Sequence, residues 1–329
     1  MSAAAGGASR SLGAGGPEVS PIGLGCMGMS EFYGDPDRAE SIRTVRRAVE
    51  LGVTLFDTAD VYGRGDNERL LSEALGEDRD RVVIATKFGQ LRDSSGAFVG
   101  LDGSPEHARS SCEASLRRLG LDVIDLLQLH RVDPVTPIEE SVAAMSELVG
   151  EGKVRHVGLS EVTADELRRA AAVAPIASVQ SEYSLLERSV EDELLPECDR
   201  LRVGFLAFAP LMRGLVARRF TSVTELDQSD TRRSGRYPRL HAEMLGRNLE
   251  LAGVVWEIAD RRSLPPSQVA LAWLVGRGVV PIPGAKTVPH LEQNAGALAV
   301  VLSPQELGAL DAVVGRAGAA HGERLPRRA

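Results

Sequence analysis

Cysteine is nearly absent from this chain of 329 residues: Cys26, Cys112 and Cys198 lie far apart and form no C-x-x-C pair. That scarcity excludes a disulfide framework and a zinc ribbon, and it suits a reducing cytoplasm. No apolar run approaches the roughly 18 residues of a membrane span. Basic side chains number 38 against 46 acidic ones, a net charge of −8. An acidic balance argues against a nucleic-acid backbone or an anionic membrane surface as the main partner. Aromatics are scarce too, with seven Phe, four Tyr and two Trp, so the position of each tyrosine carries weight.

What is present is an ordinary globular mixture, 43% hydrophobic and 26% charged, too apolar for disorder. Residues 1–9 are rich in Ala and Gly and lack the charged start and apolar stretch of a signal, so they read as a loose tail. Eight short β-like runs follow: Ile22–Cys26, Thr54–Asp57, Val82–Phe88, Ile124–His130, His156–Ser160, Ser178–Gln180, Gly204–Ala209 and Val279–Pro283. Most are continuously apolar, as parallel strands covered on both faces are.

Helical patterns separate the strands. Ala39, Ile42, Val45 and Val49 mark one face, with Gly52 as its stop. Ser104-Pro105-Glu106 opens a helix running to Gly120, and Thr163 to Glu166 is a capping box. Further helices are expected near 137–149, 247–262, 266–275, 288–299 and 304–315. The alternation leaves two architectures, a closed (β/α)8 barrel or an open doubly wound sheet. Arg10 to Ser20 reads as a small β-hairpin over one end of the barrel. The polar, Arg-rich stretch Arg213 to Arg239 reads as a functional loop or a solvated one.

Gly23, Gly25 and Gly28 fit G-x-G-x-x-G, but Pro21 interrupts the run before them and a loop follows, so the dinucleotide fingerprint fails its context test. The stronger signal is polar side chains at strand ends. Asp57, Lys87 and His130 each stand at or near the end of an apolar run, and Tyr62 lies in the loop after Asp57. In a barrel those ends share one face, where active sites are built. The set suits carbonyl reduction. The phenol supplies a proton to the nascent alkoxide, a neighbouring Lys lowers its pKa, Asp57 holds the ammonium, and His130 orients the substrate oxygen. No side chain supplies a hydride, which implies a nicotinamide.

Six strings together resemble the aldo-keto reductase superfamily: Gly23-Leu-Gly-Cys-Met-Gly-Met-Ser-Glu-Phe-Tyr-Gly34, Phe56-Asp-Thr-Ala-Asp-Val-Tyr-Gly63, Ala85-Thr-Lys-Phe88, Leu126-Leu-Gln-Leu-His130, Val157-Gly-Leu-Ser-Glu161 and Ile282-Pro-Gly-Ala-Lys286. The likeness covers residues 10–316 and leaves a tail at 317–329. It implies a (β/α)8 TIM barrel with an N-terminal β-hairpin capping one end. It also implies NADPH rather than NADH, and a tetrad of Asp57, Tyr62, Lys87 and His130 with Tyr62 as general acid.

By the same resemblance, Cys26 and Met27 adjoin the cofactor, Ser160 and Gln180 bind the nicotinamide carboxamide, and Tyr183 stacks on its ring. Glu161 stands where many relatives have Asn. Ala209, Pro210, Leu211, Arg213 and Gly214 fall on the pyrophosphate side. Pro283, Gly284, Lys286, Gln293 and Asn294 fall at the 2′-phosphate and adenine end, although Ala285 and His290 depart from the usual wording. Met29 and Tyr33, beside Phe32, are the expected substrate wall. The expected partner is a small carbonyl compound, with no nucleic acid, membrane or metal, and homo-oligomer assembly stays open. The alternative is a nicotinamide-binding regulatory or redox-sensing subunit with little turnover.

Overall fold

A computed structural model describes residues 9–317, so all but the inner residue of each expected tail, 1–9 and 317–329, lies outside the described residues. An antiparallel hairpin comes first, β1 (Arg10–Ser11) with β2 (Glu18–Val19). The barrel strands begin with β3 (Leu24–Gly25), β4 (Leu55–Asp57) and β5 (Val83–Phe88). A second hairpin then leaves the barrel, β6 (Gln90–Arg92) with β7 (Phe98–Leu101). The remaining barrel strands are β8 (Ile124–Leu129), β9 (Val154–Ser160), β10 (Ser178–Glu182), β11 (Gly204–Phe208) and β12 (Val280–Pro281).

The eight barrel strands pair in parallel from β3 through to β12, skipping the second hairpin. A parallel bridge between Gly25 and Gly284 joins the two edges, and the Gly23 N–H donates to Pro281 O at 2.9 Å. The architecture is therefore the (β/α)8 barrel rather than the open sheet. Closure requires Gly at 25, because a Cβ there would stand 2.8 Å from Ile282 O.

Inward side chains Leu55, Ala85, Leu126, Leu206, Val280 and Ile282 fill the barrel, and the first hairpin plugs its N-terminal end with Leu12 and Val19. The hairpin is anchored there by the Ala14 N–H, which donates to Arg202 O at 2.8 Å. With the bottom sealed, only the C-terminal mouth is left for chemistry.

The helices are α1 (Arg38–Glu50), α2 (Asp66–Leu75), α3 (Pro105–Leu119), α4 (Ile138–Gly150), α5 (Ala164–Ala171), α6 (Leu194–Leu201), α7 (Ala242–Arg262), α8 (Pro266–Gly276), α9 (Val288–Ala295) and α10 (Pro304–Ala317). Capping signals place their ends. Ser104 Oγ accepts from the His107 N–H, Gly120 closes α3 in the left-handed region, and Thr163 with Glu166 forms the capping box of α5. Of the expected face of α1, Val45 and Val49 are buried and Ile42 half-buried, while Ala39 is exposed; Ser41, Thr44 and Ala48 complete the buried side. The stretch 213–239 is a chain of 3-10 turns, not an open loop. Among the described residues no helix is long and apolar enough to cross a membrane.

Candidate active site

At the mouth, β4 ends on Asp57, β5 carries Lys87 one residue from its end, and His130 follows β8 directly. Tyr62 opens a 3-10 turn after β4 whose Gly63 and Gly65 take positive φ. The four side chains converge. Lys87 Nζ donates to Asp57 Oδ2 at 2.7 Å and to Thr58 O at 2.8 Å. It lies 5.1 Å from the centre of the Tyr62 ring, and that ring meets His130 edge-on at 5.7 Å between centroids. Lys87 is 0% exposed and Asp57 4%, so the pair interacts without the screening of a surface ion pair.

Burial alone would lower the Lys87 pKa, but the Asp57 carboxylate and the Tyr62 hydroxyl override it, and the amine is held above its ordinary value. Burial likewise raises the Tyr62 phenol, with Lys87 pulling it down and Asp57 pushing it back. The net direction is upward, which corrects the expectation that Lys87 lowers it: loss of hydration outweighs the ammonium in this pocket. Tyr62 is thus a neutral phenol carrying its proton at neutral pH. His130 goes the other way, well below its usual value, because it is buried among the charges of Arg131, Lys87 and Arg92. Its imidazole is neutral, and its buried Nδ1 has no hydrogen-bond partner.

Around this centre Gln180 Nε2 donates to Asp57 Oδ1 at 2.6 Å, fixing the carboxylate from the opposite side to Lys87. Ser160 Oγ accepts from Arg131 at 3.3 Å, and the same guanidinium donates to His130 O at 2.6 Å. Arg131 therefore ties the ends of β8 and β9 together. Cys26 is buried behind β3, where burial raises its thiol far above the ordinary range. Met27 packs on Ala59, Val61 and Tyr62. Glu161 sits at φ +58, where Asn would be less strained, and its carboxylate turns to Ser181 and the Glu182 N–H.

Two expected contacts go elsewhere. Met29 is 1% exposed and packs with Val45, Val49 and Leu71 between the barrel and α1, because the 3-10 turn Met27–Met29 rotates it away from the mouth. Tyr183 is fully buried on the outer side of the barrel, against Phe205 and Trp273, with its hydroxyl donating to Glu191 at 2.6 Å. It has no face left for a cofactor ring. The aromatic that does reach the mouth is Phe208, which sequence reasoning missed. On β11, Phe205 and Ala207 point outward into the helix layer, whereas Leu206 and half-buried Phe208 join the barrel interior. Period-two alternation was the available signal, counted inward from the strand end.

The loop after β11 is strained: Ala209, Met212 and Arg213 all have positive φ. Arg213 is held 3.9 Å from Glu182, over the Tyr237 ring at 4.5 Å, and donates to Tyr33 Oη at 3.3 Å. Lys286 Nζ donates to Tyr33 O at 2.6 Å and Asp35 O at 3.0 Å, so Tyr33 is clasped from both sides. Gln293 accepts from Arg219 at 2.6 Å, and the Val288 N–H at the start of α9 donates to Glu40 at 3.0 Å. Asn294 is buried with Oδ1 unpartnered.

The site is thus a buried lysine–carboxylate pair, a neutral phenol and a neutral imidazole at the mouth of a closed barrel. Residues 21–314 match the model of the Aldo/keto reductase family, and the chain belongs to that family. It is 42% identical over 301 residues to a probable aldo-keto reductase 1 of Glycine max, covering 90% of this chain and 86% of that protein. Among solved structures it resembles a glycerol dehydrogenase from Gluconobacter oxydans, with a TM-score of 0.83, 28% identity and 97% of each chain covered. It also resembles an aldo/keto reductase from Klebsiella pneumoniae solved with NADP and acetate, with a TM-score of 0.69, 30% identity and 95% of each chain covered.

Proposed function

We propose that the protein reduces a small aldehyde or ketone to the alcohol with NADPH as hydride donor. The observation that carries this reading is the buried Lys87–Asp57 pair beside a phenol that keeps its proton. The hydride, which no side chain can provide, is the chemistry that bound NADPH supplies. His130 directs its imidazole N–H at the substrate oxygen and orients it toward Tyr62. The Tyr62 Oη proton passes to that oxygen as negative charge develops on it. Lys87, fixed by Asp57 and Thr58 O, stabilises the phenolate left behind.

The residues present suit a dinucleotide. Ser160 at the end of β9 and Gln180 within β10 suit the carboxamide, and Phe208 at the end of β11 suits its ring. The unpartnered Oδ1 of Asn294 offers an acceptor to adenine, and the cations Lys286 and Arg219, whose charges both bear on His290, favour a 2′-phosphate. The NADP-bound Klebsiella pneumoniae relative supports the same choice. A panel of generic aldehydes and ketones, followed by loss of reduced-nicotinamide absorbance, tests the function. Consumption of NADPH faster than NADH with at least one carbonyl is expected; no consumption of either with any carbonyl would overturn it.

Phe208→Ala is expected to weaken NADPH binding about fivefold, in keeping with about 1 kcal/mol for an aromatic stack. Tyr183→Phe should leave that binding unchanged and cost about 1 kcal/mol of stability through the lost hydrogen bond to Glu191. Fluorescence titration of the two variants with NADPH separates the assignments; the opposite pattern restores Tyr183 to the stacking role.

A further inference from the structure

Behind the turn that carries Tyr62, on the flank of the barrel, lies a cavity of about 240 Å³. It is walled by Asp60 and Arg64 from that turn, by Arg92 from the second hairpin, and by Ser111, Ala114 and Arg118 from α3. Its polar groups are unequally satisfied. Arg118 pairs with buried Glu68, and Arg92 with Glu31. Yet the Nε of Arg92 and the Oδ1 of Asp60 are both buried without a hydrogen-bond partner. Among the described residues Arg64 is tied only through Nη1 to Ser94 O, at 3.1 Å, and meets no carboxylate. Leaving buried donors and acceptors unmatched costs about 1–3 kcal/mol each, so such a cluster marks a place where something else completes the bonding.

We infer that this cavity binds a small oxyanion, a phosphate or phosphate ester, through Arg64, Arg92 and Arg118, with the unpartnered Oδ1 of Asp60 facing it. Guanidinium forks match the planar spread of oxyanion oxygens. Two carboxylates also border the space, and neither sets its full charge against an anion below about pH 7. Asp93 is turned into its own loop, accepting from the N–H groups of Ser95 and Ala97. Asp60 is pushed up to about 7 by burial first and by Glu68 second, with Arg118, the Val61 N–H and Lys87 pulling it down. The groups facing it are therefore Glu68 from α2, Arg118 from α3, Lys87 from β5, and Arg64, Arg92 and Asp93 around the rim. Because Asp60 and Val61 run straight into Tyr62, an occupant braces the turn that carries the phenol.

Inorganic sulfate is the first probe, since its double negative charge does not change across the range where Asp60 titrates. At constant ionic strength, saturable binding is expected that survives Lys286→Ala, weakens at least tenfold in Arg64→Glu and is abolished by Ala114→Trp, which fills the space. Below about pH 7 Asp60 is a neutral donor; above it the carboxylate repels the anion, so affinity should fall as pH rises. Asp60→Asn should remove that fall while keeping the tight binding. Inorganic phosphate and a three-carbon phosphate ester, run in parallel, distinguish the two sources by which binds tighter. No saturable sulfate binding, binding indifferent to Arg64→Glu and Ala114→Trp, or a pH dependence that persists in Asp60→Asn would overturn the assignment.

Discussion

Replacing Tyr62 by Phe is expected to abolish carbonyl-dependent consumption of NADPH while leaving NADPH binding and the folded state intact. The substitution removes one hydroxyl. Its ring still packs on Met27, Ala59 and Val61, so little stability is lost. What disappears is the proton donor beside the substrate oxygen, a contribution of about two to four orders of magnitude in rate. His130 cannot take over, since burial and three neighbouring cations keep it neutral. Steady-state rates with a generic aldehyde, paired with a binding titration, check the result. Turnover within a few-fold of the parent would remove Tyr62 from the role.

Lys87→Met should damage both stability and activity, for one physical reason. The substitution leaves the Asp57 carboxylate buried with Gln180 as its short contact and no cation. An uncompensated buried charge costs about 3–5 kcal/mol, a large share of the 5–15 kcal/mol that holds a typical domain together. Adding Asp57→Asn removes the orphaned charge. The double variant should regain most of the stability on denaturant unfolding, yet stay at least about a hundredfold slower than the parent, because nothing stabilises the phenolate. Recovery of stability without activity separates the two roles of the lysine. Recovery of both would show that the pair is structural only.

Much of this was legible in the sequence. The eight barrel strands were marked by short apolar runs, Asp57, Lys87 and His130 by standing at or near the ends of such runs, and Tyr62 by its place in the loop after Asp57. The closed barrel followed once the strings of family residues were weighed together. What was not legible shares a cause. In a parallel strand covered on both sides, apolar residues face both ways, so the pattern does not say which of them points inward. Tyr183 was therefore expected at the cofactor, while Phe208, whose O accepts from the Tyr183 N–H, was passed over. Met29 failed similarly, because the tight turn that rotates it has no periodic signature. The second hairpin escaped because its strands are three and four residues long, its alternation is weak, and its turn at Asp93 to Gly96 resembles any polar loop. α2 and α6 were missed as well: α2 opens on Asp66, Asn67 and Glu68, and α6 has only eight residues.

The pKa of Tyr62 was misjudged for a different reason. The neighbouring lysine could be read from the sequence, but the depth of the pocket could not, and burial decides the direction. That direction leads to the sharpest test, the pH dependence of carbonyl reduction. If Tyr62 donates the proton, the rate is present wherever the phenol is protonated and declines only as pH rises beyond its ordinary value of roughly 10, because burial raises it. No inflection should occur near the usual histidine value of about 6.5. A rate that falls as pH rises through that histidine region, and that loses this fall in His130→Gln, would contradict the account by making an imidazolium the donor.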